Sequence, residues 1–308
     1  MEQCKKKKVL NVFAIGIAVV LALYLISLFV PVLWALMTTL KSVEEFEGGQ
    51  FETVFYEQNK LWWPKYGATF KNYINAYKDF YIIVPSSTPG SLGIPFYIFD
   101  QFSNSLLYSV GCSLAVTGAS LVMAYAAARY TYRISLWIYT FALLALALPI
   151  VGSLPSEIAV SQQLGLYDTF LGIWIMRGNF LNTYFLIFFA QFKMIPRDYT
   201  EAAKIDGAHP FTIMTKIIFP LASGTTATVL VLAFIGYWND FQIPMVYLPS
   251  HPVAAYGMYR IQIAAETQWS SVPSQMAGVL IMALPIIIFY GVFNRRLNVN
   301  LSVGGIKG

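Results

Sequence analysis

Pro196-Arg197-Asp198-Tyr199-Thr200-Glu201-Ala202-Ala203-Lys204-Ile205-Asp206-Gly207-Ala208-His209-Pro210 is a charged stretch in a chain otherwise poor in charge, and 23 uncharged residues lie just beyond it, between Lys216 and Asp240. The stretch predicts two short helices joined at a glycine. Asp198 is placed to cap the first, with Glu201 three residues on as its capping-box partner. Gly207 suits the end of that helix, and Pro210, preceded by His209, suits the first position of the next. A helix–glycine–helix elbow beside an apolar run is a rigid projection, which makes it a plausible lever.

Further uncharged runs lie on either side. Between Lys8 and Lys41 there are 32 such residues, between Asp100 and Arg129 28, between Arg133 and Glu157 23, and between Glu266 and Arg295 28. Each can hold a spanning helix, which needs about 20 residues and satisfies its own backbone in lipid. A sixth run has only 15 residues, between Arg177 and Lys193. It crosses if those two side chains snorkel or protein shields its ends. Residues 170–176 are too few to span and read as an interfacial or re-entrant piece. Residues 241–259 are also uncharged, but Pro244, Pro249 and Pro252 argue for an ordered external loop without helix. The expected fold is an all-α membrane protein of about six transmembrane helices, one domain over residues 1–308.

Composition agrees. The chain is 57% hydrophobic and 11% charged, against about 25% charged in soluble domains, so a soluble enzyme is a poor reading. Lys5 to Lys8 precede an apolar run too long for a cleaved signal, so a retained first helix is expected. Six spans put both termini on one side, and 13 of the 20 basic residues then fall on that side. By the positive-inside bias that side is cytoplasmic. The net charge of +5 is explained by topology, without a nucleic-acid partner. Cys4 and Cys112, and His209 and His251, lack the spacing of a disulfide framework or a metal site. No cofactor, metal or catalytic constellation is expected. The long external segment, residues 41–101, carries Trp62, Trp63, Tyr66, Tyr73, Tyr77 and Tyr81. It reads as an interfacial aromatic belt on a packed subdomain, with binding of an external partner as the alternative.

The elbow resembles the cytoplasmic signature of the permease subunits of ATP-binding-cassette importers: Glu-Ala-Ala, three residues, Gly, nine residues, Ile, one residue, Leu-Pro. Here stand Glu201-Ala202-Ala203, Gly207, Ile217 and Pro220 at that spacing, with Phe219 in place of Leu. Asn104-Ser105 opening the second span, Tyr237-Trp238-Asn239-Asp240 closing the fifth and the terminal Gly304-Gly305-Ile306-Lys307-Gly308 are similar to the carbohydrate-uptake branch, notably the smaller permease of maltose-type systems. The resemblance implies a type I importer bundle in the bacterial cytoplasmic (inner) membrane. It implies a coupling loop at residues 196–220 that docks into a separate ATPase, so that ATP is bound by the partner. It also implies a second permease, two ATPase copies and an extracytoplasmic solute-binding protein delivering a carbohydrate. Glu201, Ala202, Ala203, Asp206, Gly207 and Lys307 are the coupling residues so implied; Glu201 as capping residue only, and Lys307 as plain tail, stay open.

Polar residues near membrane depth are candidates for the solute route. These are Asn104, Ser105, Ser109, Ser113 and Thr117, at roughly helical spacing on the second span, and Tyr237, Trp238, Asn239 and Asp240, with amides or a carboxylate for hydroxyls and aromatic faces for a ring. The alternative is hydrogen bonding and small-residue packing between helices, as Gly111, Ala115 and Ala119 suggest. Competing functions are an importer of a non-sugar solute and an ion-coupled secondary transporter. The second lacks the expected internal repeat and central charges. No glycine-rich phosphate loop is present, so the chain is not itself the ATPase by that mechanism.

Overall fold

Every one of the six apolar runs carries a helix in the computed structural model, which describes residues 2–51, 54–85, 93–130, 132–148, 152–263 and 271–301. The chain folds as two units, Met1–Phe80 with Arg260–Ile281, and Tyr81–Tyr259 with Met282–Gly308.

In the first unit α1 (Glu2–Thr39) contains an apolar span, Ala14–Thr39. The side chains of residues 14–33 are exposed, as lipid-facing residues must be. After α1 come α2 (Val43–Glu47), an antiparallel pair of β1 (Gly49–Phe51) and β2 (Val54–Tyr56), and α3 (Lys71–Asp79). A buried polar knot holds these pieces. Lys41 is fully buried and its Nζ donates to the carbonyl of Asn59 at 3.0 Å. Burial lowers its pKa, while the nearby Glu45 carboxylate opposes that shift. Glu45 Oε1 accepts from Asn59 Nδ2 at 2.6 Å and from the Lys65 amide at 2.7 Å. The Asn72 amide donates to the carbonyls of Thr39 and Lys41, 2.8 and 2.7 Å away.

The second unit opens with an antiparallel pair, β3 (Ile82–Val84) and β4 (Ile94–Phe96), and then α4 (Ile98–Arg129), a 32-residue span. The helices α5 (Arg133–Ala147), α6 (Ser153–Gln163), α7 (Phe170–Arg177) and α8 (Thr183–Met194) follow. They lead into α9 (Asp198–Ile205), α10 (Pro210–Leu221), α11 (Ser223–Trp238), α12 (Gln242–Tyr247), α13 (Ala254–Ile263) and α14 (Val272–Leu301). Helix α4 is central, packing against α5, α7, α8 and α11. Its buried side is small and hydroxylated, with Ser105, Ser109, Cys112, Ser113, Thr117 and Ser120. In lipid, where burial of apolar surface drives little association, small side chains let helix backbones approach. At Gly111 the need is specific, because an added Cβ would overlap the indole of Trp174 on α7. Asn182 caps α8 by accepting from the amides of Tyr184 and Phe185, and it bonds Ser120 of α4 at 3.1 Å.

By length and composition α4, the Ala14–Thr39 part of α1 and Val272–Gly291 of α14 are long and apolar enough to cross a membrane, and α11 passes the same test only together with α10, from which it is bent by 73°. Helix α5 is apolar but has 15 residues, and α8 has 12. Two expectations need correction. The proline-rich stretch 241–259 is not free of helix, since it contains α12 and most of α13. Pro244 lies in the first turn of α12, where its missing N–H has no helical acceptor to lose, and Pro252 precedes α13. The other correction is the capping box at Asp198, taken up with the elbow below.

Candidate functional site

The elbow is built from α9 and α10. Arg197, not Asp198, stands at the start of α9; its backbone is already helical and its carbonyl accepts from the amides of Thr200 and Glu201 at 2.8 and 3.0 Å. No side chain caps this end, so the expected box between Asp198 and Glu201 does not form. Both carboxylates instead sit in the first turn, where the helix dipole favours negative charge. Glu201 therefore keeps its carboxylate on an exposed face.

The far end of α9 closes as expected. Gly207 has φ +78°, the left-handed region that glycine enters without penalty. Its amide donates to the Lys204 carbonyl at 3.0 Å, and the Ala208 amide donates to that of Ala203 at 2.9 Å. This double bond pattern, with Ala203 and Ala208 meeting in the core cluster, is a Schellman ending. Two residues later His209 Nδ1 accepts from the Phe211 amide at 3.3 Å and Pro210 begins α10.

Residues Ile213–Ile218 of α10 are π-helical, with the Phe219 amide reaching back to the Met214 carbonyl. The widened turn lies just before Pro220, whose ring disrupts the ordinary ladder at Lys216. The chain then breaks at Ala222, and α11 departs at 73°. The elbow is anchored from within. Ala203, Ile213 and Ile218 are buried in one cluster with Tyr125 of α4 and Phe185, Phe188 and Phe192 of α8. Phe219, where Leu is usual, packs edge-on to Tyr125 at 5.8 Å and stacks on Phe192 at 6.2 Å. The larger ring completes a three-ring contact, which accounts for the substitution.

Glu201, Ala202, Ile205, Asp206 and Gly207 are exposed and Ala203 is buried. Sequence reasoning missed Ile205, which is 87% exposed, and Phe211, which is 64% exposed. Large apolar side chains flanking a glycine turn, with no partner face of their own, were the available signal. Lys307 lies outside the described residues.

At the other end of α11 most of the expected solute-route residues bond within the chain. Asn104 Nδ2 donates to the Pro252 carbonyl at 3.1 Å and Ser105 Oγ accepts from the Ala254 amide at 2.8 Å. Trp238 is buried, its indole N–H on the Met282 carbonyl at 3.2 Å and its ring stacked on Phe234. Asp240 accepts from the Tyr108 hydroxyl at 2.8 Å and from the amides of Gln242 and Ile243, which starts α12. Tyr237 is half-buried and meets Tyr108 edge to face. Asn239 is exposed, with its Nδ2 on the Ile235 carbonyl.

Beside these residues the end of α12 is clasped by side chains of α6 and α7. Glu157 Oε2 accepts from Arg177 Nη2 and from the Tyr247 hydroxyl, each at 3.0 Å, and the guanidinium lies over the Tyr247 ring. Burial, then the hydrogen bond to Glu157, pushes the Tyr247 pKa up to about 12. Asp168, with φ 58°, donates its amide to the Tyr247 carbonyl and accepts the Ser250 amide on Oδ1.

Residues 117–302 match the family described as the binding-protein-dependent transport system inner membrane component. The chain is 30% identical to the trehalose transport system permease protein SugB of Mycobacterium tuberculosis, over 68% of this chain and 78% of that one. It is 26% identical to the diacetylchitobiose uptake system permease protein NgcG of Streptomyces coelicolor, over 93% and 87%. Among solved structures, a bacterial ABC transporter involved in the import of the acidic polysaccharide alginate has a chain with the same fold. The TM-score is 0.70 at 20% identity, covering 92% of this chain and 96% of that one.

Proposed function

Since the chain belongs to the family of binding-protein-dependent transport inner membrane components, we propose that it is one permease subunit of an ATP-binding-cassette importer for a carbohydrate. It forms half of the translocation route, beside a second permease. The fuel is consumed elsewhere: two copies of a cytoplasmic ATPase bind and hydrolyse ATP, and an extracytoplasmic binding protein delivers the solute. Both termini are cytoplasmic. Relatives named for trehalose and diacetylchitobiose uptake support an oligosaccharide or glycoside as cargo.

The observation that carries this reading is the elbow. A short helix with an exposed acidic and apolar face is locked by a glycine ending and rooted in the bundle core, and the helix that follows it, α10, is set at 73° to α11. A force on Glu201, Ala202, Ile205 and Asp206 passes through the buried Ala203 into α8 and α4, and through α10 into α11. Lys307 belongs to a tail that meets the same ATPases. Solute passes near Asn239 and Tyr237, while Asn104, Ser105, Trp238 and Asp240 hold the lining segments in place.

The test is reversal of charge at the exposed helix. Glu201→Arg is expected to leave insertion and expression intact while the ATPase no longer co-purifies with the permease. Retention of the ATPase at parental stoichiometry with unchanged uptake would refute the docking role.

A further inference from the structure

Leu61, Trp62 and Trp63 are 69, 75 and 62% exposed, although they are three consecutive large apolar residues in a well-bonded loop. Their backbone explains how they are held outward. The Asn59 side chain clasps the loop, with Oδ1 accepting from the Trp62 amide at 3.0 Å and Nδ2 donating to the Trp63 carbonyl at 2.9 Å. The Asn59 carbonyl takes the buried Lys41 ammonium, and the Lys60 carbonyl takes the indole N–H of Trp34 at 2.8 Å. The loop is therefore rigid, and these bonds satisfy much of its polar backbone internally. Its apolar side chains can enter a poorly hydrated layer without dragging those groups with them.

The bond from Trp34 fixes the level of the loop. The side chains of α1 are exposed from Ala14 up to Leu33, and from Trp34 to Leu40 most are covered, so Trp34 marks where the exposed apolar surface of the helix ends. Trp34 thus stands at a membrane–water boundary, where tryptophan is favoured. Lys60 is bonded to it, and the next three residues project from the same level.

We propose that Leu61, Trp62 and Trp63 form an anchor that inserts into the headgroup layer of the bilayer, pinning the 41–80 subdomain to the membrane surface at the end of α1. The occupant of this surface is phospholipid. The two indoles suit it because each offers an apolar ring and one N–H to the ester and phosphate oxygens found there.

The assembled transporter, reconstituted in phosphatidylcholine–phosphatidylglycerol vesicles, provides the test. The emission of Trp62 and Trp63 is isolated as the difference between the parent and a Trp62→Phe/Trp63→Phe variant, which leaves the loop's backbone bonds in place. Bromines carried near the lipid headgroup are expected to quench that difference emission strongly, bromines near the chain ends less, and aqueous iodide hardly at all. Ready quenching by iodide, with no response to bromolipid, overturns the proposal in favour of a water-exposed loop. Insensitivity to both quenchers overturns it in favour of a covering protein.

Discussion

Gly207 and Gly111 are required for opposite reasons. At Gly207 an added Cβ meets nothing within 4 Å, so the penalty there is purely one of backbone, at φ +78°. A β-branched residue in the left-handed region costs roughly 1–2 kcal/mol. Gly207→Val is accordingly expected to open the Schellman ending and abolish ATP-driven uptake in vesicles while membrane insertion is unchanged, with Gly207→Asn retaining part of the activity. At Gly111 the backbone is ordinary helix and the demand is space for Trp174. Gly111→Ala is expected to lower stability by about 1–3 kcal/mol, as overpacking does, read as a fall in the thermal unfolding midpoint in detergent. The first glycine was legible in the sequence because a helix ending is local, set by residues 203–208. The second was noticed only as one of three small residues at intervals of four, since its partner lies 63 positions away. The capping box at Asp198 failed for a local reason too: Arg197 already adopts helical angles, which moves Asp198 into the first turn and out of reach of a capping bond.

Among the elements, the apolar runs found the helices, yet run length overstated several of them. The run between Lys216 and Asp240 holds a break at Ala222, because Pro220 disturbs the ladder ahead of it. Charge counting does not register a missing N–H. The 241–259 segment was misread because prolines were weighed without their positions; one in a first turn does not oppose a helix. The clasp of α6 and α7 on α12 was invisible to sequence because it joins Glu157, Arg177 and Tyr247, residues up to 90 positions apart. It carries a pH signature. Tyr247 holds its proton more tightly in the folded chain, with a pKa raised from 10.0 to about 12. The stability it contributes is therefore fully present below pH 10 and is lost as pH rises from 10 toward 12. The unfolding midpoint of the parent is expected to fall more steeply through that window than that of Tyr247→Phe, which lacks the hydroxyl at every pH. Parallel curves for the two proteins would count against the clasp.

For the molecule as a whole, the separation of engine from route makes a firm demand: uptake into sealed vesicles should follow ATP supplied on the elbow side and ignore imposed proton or sodium gradients. Transport that ran on either gradient without ATP would remove the basis for a separate motor. The broad class was readable from charge-free runs and one spaced motif, whereas the solute route was not, since polar residues that bond inward and those that face a channel have the same composition. The short helices of the second unit carry one more consequence. With 12 residues in α8 and 16 in α11, regular helix there extends only about 18 and 24 Å, less than the roughly 30 Å of surrounding hydrocarbon. Backbone that leaves the regular helix within the lipid slab needs water or protein around it. For α8 that partner is protein: Asn182 takes the amides of Tyr184 and Phe185 and bonds Ser120 of α4, so this short helix begins against a neighbouring helix and not against lipid.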